Sequence, residues 1–327
     1  MKLRKWLTLG GLTLSSVGAA AAVNSFLPRS ILTHASYERK ADAGSVPTVL
    51  PDIEVAFLRC GMVTVPEWLT VRGVFSSAPQ TIAYSAVLIK HPQGTFLYDT
   101  GFCEDLPLFM LDQSFFFTHT VGQYKQEKSI YAHLDDLHMK PADLDFILLS
   151  HLHWDHVAGI PDLPGVQLCL NRVEYDAASQ GLFEKNQGLV RRLLCNNPVK
   201  LLDFTGPAYE CFRSSYDVFG DGSIVLVPLP GHTPGQIGLF INRAHGSRLF
   251  LLADAAWVGD NYMAPATMHP FIWSLVTSHS AVAKQTLSDL HHFSVSHPEV
   301  VMVGMHDGKM QDAVMVVEKE RQRMPIV

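Results

Sequence analysis

The sequence predicts an α/β protein in which helices cover the faces of sheets. Three observations carry that prediction. Short, uninterrupted apolar runs of strand length recur along the chain, Gly, Pro and Asp punctuate the gaps, and helical periodicity fills several of them. Strands this apolar are buried on both faces, which requires helices outside the sheets. The apolar share of 47% and charged share of 17% suit a globular chain and exclude disorder; 327 residues give ample core for one large domain or two modest ones.

The first 35 residues read as a targeting segment. Lys2, Arg4 and Lys5 precede an uncharged stretch from Trp6 to Val23 that ends in the small residues Ala19 to Ala22, the pattern of an export signal with an A-x-A-like cleavage region. The alternative is an uncleaved membrane anchor, for which the stretch is only just long enough. Arg4-Lys5 also resembles a twin-arginine signal with one Arg replaced. Cleavage would place the protein in the periplasm or outside the cell; retention would anchor it to the inner membrane. Residues 36–52 read as a polar linker, and residues 53–327 as the catalytic domain.

Within that domain, residues 85–101 (SAVLIKHPQGTFLYDTG) predict two strands around a Pro-Gln-Gly turn. Residues 101–129 have weak periodicity and read as a lid-like insertion. Residues 144–150 (LDFILLS) predict an apolar strand ending at a histidine cluster. Residues 166–171, 223–229, 237–242, 248–254 and 300–305 predict further strands. Helices are expected over residues 129–139, 173–179 and 278–293. The formal charge of −6, with no long Lys/Arg run, argues against nucleic acid as a partner. Five cysteines without C-x-x-C spacing give no metal motif and leave disulfides open; Cys169 reads as a buried small apolar residue.

The chemistry is concentrated in "SHLHWDHVAG", residues 150–159. His151 and His153 follow an apolar strand directly and can face one ion, while Asp155 and His156 can turn toward another. Three more strand ends carry the same kind of residue: His232 in "VPLPGHTPGQ", Asp254 in "RLFLLADAAW" and His306 in "VVMVGMHDG". Any one of these histidines alone would be an ordinary hydrogen-bonded residue. Four strand ends that all terminate in ligand types point to one site assembled from distant loops.

H-x-H-x-D-H, then G-H-T-P-G, then an Asp and a late His, resembles the metallo-β-lactamase superfamily of metallohydrolases from about residue 53 to the C-terminus. The resemblance implies a four-layer αβ/βα sandwich with the site at one edge. It also implies that His151, His153 and His232 bind a first ion, that Asp155, His156 and His306 bind a second, and that Asp254 bridges them. "LYDTG" resembles the family's early Asp-x-Gly turn, in which Asp99 would orient a ligand histidine from behind. Imidazole and carboxylate ligands suit two Zn2+ per chain, with Fe or Mn compatible. Two such ions hold a hydroxide between them. Asp155 is then the catalytic carboxylate that assists the leaving group.

The resemblance argues against a β-lactamase proper, in which Cys, Ser or Met stands where this chain has Asp254. It is closest to N-acyl homoserine lactonases, through "GHTPGQIGLFI", the step from His232 to Asp254 and "DAAW". The implied substrate is a small lactone or ester. In those lactonases a Tyr contacts the substrate carbonyl where this chain has Trp257, and an indole N–H cannot shuttle a proton. Trp257, Tyr262, Trp68 and Phe116 are the expected substrate contacts, with core packing as the alternative for the aromatic runs. Rival activities on the same scaffold are glyoxalase-II-like thioester hydrolysis, phosphodiester hydrolysis and a persulfide dioxygenase with one iron. A homodimer is compatible with the sequence.

Overall fold

β1 (Glu54–Pro66) and β2 (Pro79–His91) pair antiparallel along nearly their whole length. β2 then turns through Pro92 and Gln93 into β3 (Gly94–Tyr98), the hairpin expected of that turn. The structure, a computed structural model, describes residues 23–28, 31, 50–111, 115–120, 122–178, 193–245 and 247–323, with the side chains of Phe109 and Phe116 excepted. β4 (Lys125–Gln126), β5 (Phe146–Leu148), β6 (Leu168–Asn171) and β7 (Val199–Leu202) complete a seven-stranded sheet of order β4-β1-β2-β3-β5-β6-β7. In it β3, β5, β6 and β7 run parallel. β8 (Tyr216–Asp217), β9 (Ile224–Pro228), β10 (Ile237–Ile241), β11 (Leu249–Leu251) and β12 (Val301–Val303) form a second sheet of order β12-β11-β10-β9-β8. There the neighbours β11 and β12 pair in parallel, while the other neighbouring strands pair antiparallel.

Three apolar clusters define the layers. Val55, Val87, Ile89 and Phe96 of the first sheet meet Leu226, Ile237, Leu239 and Leu251 of the second in the central one. The alternate residues Leu58, Leu88 and Leu97 face outward, onto Ile130 and Leu134 of helix α1 (Ile130–Asp136). Further on lie α2 (Trp154–Val157), α3 (Arg172–Ala177), α4 (Gly259–Met263) and α5 (Pro270–Val276). On the other side Val225, Val227, Phe240 and Phe250 meet Leu287, Leu290 and Phe293 of α6 (Ser280–Ser296). Phe240 and Phe250 stack there with ring centroids 3.8 Å apart. The order helix–sheet–sheet–helix is the αβ/βα sandwich implied by the sequence.

Two substantial elements are absent from the sequence expectations: β1, and α7 (Gly308–Arg323). α7 is fixed by polar contacts. Gln311 accepts from Ser85 Oγ (2.8 Å) and donates to Met305 O (2.7 Å), next to His306. The Arg243 guanidinium holds Glu318 bidentately at 2.9 and 2.6 Å, both side chains being buried.

The expected lid carries two short helices, Leu106–Met110 and Phe115–Thr118, and then β4. Of the expected targeting segment, residues 1–22 lie outside the described residues, as do positions 36–49 of the linker. Residues 23–28 sit on the domain. The Phe26 ring is 5.2 Å from Trp68 and 5.1 Å from His269, and Arg72 donates to Asn24 O (2.9 Å) and Leu27 O (3.1 Å). No helix among the described residues is long and apolar enough to cross a membrane. No disulfide joins any of the five cysteines, all of which lie among the described residues, and burial pushes the Cys60 thiol up to about 12.

Glu318→Ala leaves the Arg243 guanidinium buried without its partner, and such a loss costs about 3–5 kcal/mol. Urea unfolding followed by circular dichroism measures it. A loss below about 1 kcal/mol, the range of an exposed pair, would mean that the pair does not secure α7.

Candidate metal centre

Parallel strands end on the same edge of a sheet, so the loops that follow them converge. β3 delivers Asp99, and β5 delivers Ser150, His151 and His153. The chain then enters α2, whose first turn carries Asp155 and His156. In the second sheet β9 and β11 point the same way, and β12 runs parallel to β11. Their ends deliver His232, Asp254 and His306. The two sheets are tied at this edge: Ile237 N donates to Ser150 O (3.0 Å), and the Tyr98 hydroxyl donates to Ile237 O (2.7 Å).

The seven side chains meet in three overlapping groups, each with its ligand atoms within 4.8 Å of one another. These are His151, His153 and His232; His151, His156 and Asp254; and Asp155, His156 and His306. Asp254 reaches both ends of the cluster. Its Oδ1 is 3.2 Å from His156 Nε2, and its Oδ2 is 3.4 Å from His232 Nε2 and 3.0 Å from His306 Nε2. Asp155 Oδ2 lies 3.3 Å from His306 Nε2.

The donor set fits metal ions. His151 Nε2, His156 Nε2 and Asp254 Oδ1 are buried without a hydrogen-bond partner, and three such atoms aimed at one volume would be costly without a cation. His232 Nε2 and His153 Nδ1 stand 2.8 Å apart, two ring nitrogens converging on one point.

Charge within the cluster is strongly shaped by burial. Burial holds the imidazoles of His151 and His153 well below the usual histidine value and His232 down to about 4. Neutral imidazole is the form that ligates. Burial opposes charge on His156 too, but the carboxylates of Asp99, Asp254 and Asp155 outweigh it and hold its pKa well above the usual value. Burial alone would raise the Asp254 carboxyl; His306, His156 and His232 instead hold it well below the carboxylate range.

Behind the ligands stands a set of buried polar groups. Asp99 takes hydrogen bonds from Ser150 N (2.7 Å) and Ser150 Oγ (2.8 Å), and its Oδ2 is 2.7 Å from His156 Nδ1. These contacts place the Asp99 carboxylate directly behind the His156 imidazole. Asp99 stands there in a left-handed backbone conformation (φ 60), and Ala253, just before Asp254, has φ 47. His306 is oriented by Ala83 O, 2.8 Å from its Nδ1.

The expected substrate contacts are placed differently from one another. Trp257 lies beside the cluster, but its indole Nε1 donates to Asp254 Oδ2 at 2.9 Å, so the group is already engaged by the shared carboxylate. Tyr262 does not take the missing tyrosine's place. It is buried on the outer face of the second sheet and donates to Met302 O (3.2 Å), because α4 turns its ring into that core. Trp68 packs between Phe26 and His269. The Phe116 side chain lies outside the described residues. Sequence reasoning missed Ser150 and Glu174. Glu174 accepts from Leu152 N (3.0 Å) and Gly235 N (2.9 Å), and a buried carboxylate inside "NRVEYD" had no ligand-like pattern to betray it.

A cluster of this composition at the seam of an αβ/βα sandwich defines a metallohydrolase-type site. The family model of the metallo-beta-lactamase superfamily matches residues 81–279, more than half of the chain, and the chain belongs to that superfamily. N-acyl homoserine lactonase AttM of Rhizobium radiobacter is 29% identical over 167 residues, covering 51% of this chain and 59% of the relative. The chain thus spans less than two thirds of that relative's length. AttM of Azorhizobium caulinodans is 26% identical over 211 residues, covering 62% and 76%. A solved N-acyl homoserine lactone hydrolase, with N-hexanoyl-L-homoserine bound at its catalytic metal center, shares the fold: TM-score 0.61, 20% identity, 81% of this chain and 97% of that one.

Asp99→Asn keeps a residue type that tolerates φ 60 but replaces one acceptor oxygen with an N–H2 group. Chelator competition is expected to show metal affinity reduced about 10–100-fold, the usual cost of losing a partner that orients a ligand. Unchanged affinity would remove Asp99 from the support of the centre.

Proposed function

We propose that the protein is a dinuclear zinc hydrolase that opens a lactone or ester, with N-acyl homoserine lactones as the substrate class. The observation that carries this reading is the reach of one buried carboxylate, Asp254, to imidazoles of both end groups. His151, His153 and His232 would hold one ion and Asp155, His156 and His306 the other, with Asp254 shared. Ions bound there supply Lewis acidity and bring the pKa of a water down to about 7. The lactonase relatives support the substrate class, and the complete set of seven ligand side chains supports two ions over one.

The residues then divide the work. In lactone opening the water oxygen bonds to the carbonyl carbon, the ring C–O bond breaks, and the departing alkoxide takes up a proton. Asp155 is the carboxylate assigned to carry that proton, at the rim of the second group beside His306. Trp257 serves Asp254 rather than the substrate carbonyl, since its single N–H is spent there. By the basic-then-apolar pattern of its first residues the enzyme acts outside the cytoplasm.

The test keeps the chain from Val23 onward, because Phe26 packs on the domain. Bound metals are quantified, and acyl homoserine lactones are assayed beside an aryl ester and a phosphodiester. Two zinc per chain with lactone opening preferred is the expected result. Two metals without lactone turnover would retain a hydrolase and remove the lactonase; one iron per chain would favour the dioxygenase. Asp155→Asn is expected to lower kcat by about 10²–10⁴-fold, the usual contribution of a positioned proton carrier. A kcat within about twofold of wild type would exclude that role for Asp155.

A further inference from the structure

His151 and His153 sit on one loop and His232 on another, from different sheets, yet their ring nitrogens must converge on one point. A third element grips both loops. Glu174, in the first turn of α3, accepts from Leu152 N at 3.0 Å through Oε1 and from Gly235 N at 2.9 Å through Oε2. Leu152 lies between His151 and His153, and Gly235 closes the turn that carries His232. Asn171, which caps α3 by accepting from Val173 N, also donates from Nδ2 to Gly235 O at 2.9 Å. The turn is therefore held at both its N–H and its C=O. The backbones touch as well: a Cβ at Gly235 would lie 2.2 Å from the Glu174 nitrogen, so only glycine permits the approach.

We infer that Glu174 is a positioning residue that sets the His151–His153–His232 group, by fastening the two ligand loops to one carboxylate. The inference rests on the two-ion reading above. A carboxylate is the required group because two N–H donors approach from different loops, and each needs its own acceptor oxygen. Glutamine has one such oxygen and would turn its N–H2 toward a donor. Aspartate keeps the charge but is one methylene too short to reach both. The carboxylate is 2% exposed, a placement that the two charge-assisted hydrogen bonds offset. Among the described residues no hydrogen bond joins Glu174 to Asp155, His156 or His306, so its loss acts first on the three-histidine end.

Cobalt(II) is titrated into metal-free wild type, E174Q, E174D and R172A, and d–d absorption is recorded. Arg172 lies on the same helix but pairs with exposed Asp203, which makes R172A the control. H232A identifies the absorption phase that belongs to the three-histidine group. Expected is a weakening of that phase in E174Q by about 10–100-fold, with the other phase and R172A unchanged. E174D, which retains the charge and serves should E174Q fail to fold, weakens the same phase. Wild-type titrations of E174Q and E174D would overturn the inference. So would an equal weakening of both phases with loss of near-ultraviolet dichroism, since that is general loosening. A wild type with a single phase would refute the two-ion reading, and that phase alone would then decide on Glu174 in the same way. A wild type that takes up no cobalt would overturn both.

Discussion

The fold is organised around a carboxylate that has no right to be buried on its own. Asp254 is 4% exposed at the seam between two sheets, where burial alone would protonate it or drive the region apart. It stays charged because three imidazoles and the Trp257 indole N–H surround it. Each of those partners comes from a different part of the chain, so the second sheet must dock on the first in one register. The central apolar layer supplies area, but area is indifferent to small sliding. The polar ties at the edge, Ile237 N to Ser150 O and Tyr98 Oη to Ile237 O, fix the register that the cluster needs.

Much of this architecture is legible in the sequence because buried strands announce themselves by continuous apolar runs. β5, β6, β9, β10, β11 and β12 all fall within segments expected to be strands, and the His and Asp residues of the cluster follow β5, β9, β11 and β12. β1 was missed for a physical reason. Its residues alternate between the central layer, at Val55 and Phe57, and the helix-covered face, at Leu58 and Cys60, and Arg59 with a bulge between Arg59 and Gly61 interrupts the apolar pattern. It has no continuous run to recognise. α7 escaped because its charged residues hide a narrow buried stripe, Gln311, Val314 and Glu318, two of which are polar. Only the partners Ser85 and Arg243, distant in sequence, explain why polar residues face inward there.

The histidines and aspartates of the cluster are legible, as is Asp99 behind them, whereas Ser150 and Glu174 are not. A ligand histidine is marked by its neighbours in the sequence, as in H-x-H-x-D-H, whereas a supporting group is defined only by what it touches. Ser150 looks like the polar end of a strand, and Glu174 like one acidic residue of a surface helix. Trp257 was read as facing a substrate, and the structure turns its N–H to Asp254 instead. Tyr262 is likewise expected at the substrate, but α4 carries it into the outer core.

The place of His306 has a consequence for the order in which the molecule is completed. It follows β12, a strand that joins the second sheet through β11, and its ring is held by Ala83 O while Gln311 of α7 holds the carbonyl of the preceding Met305. The three-histidine group is complete in a chain that has emerged as far as β10, whereas Asp155 and His156 wait for a partner from near the C-terminus. A chain cut between β10 and β12 would keep His151, His153 and His232 together but leave Asp155 and His156 without the third member of their group. Joining the two sheets and adding β12 is thus what brings all seven side chains of the cluster together.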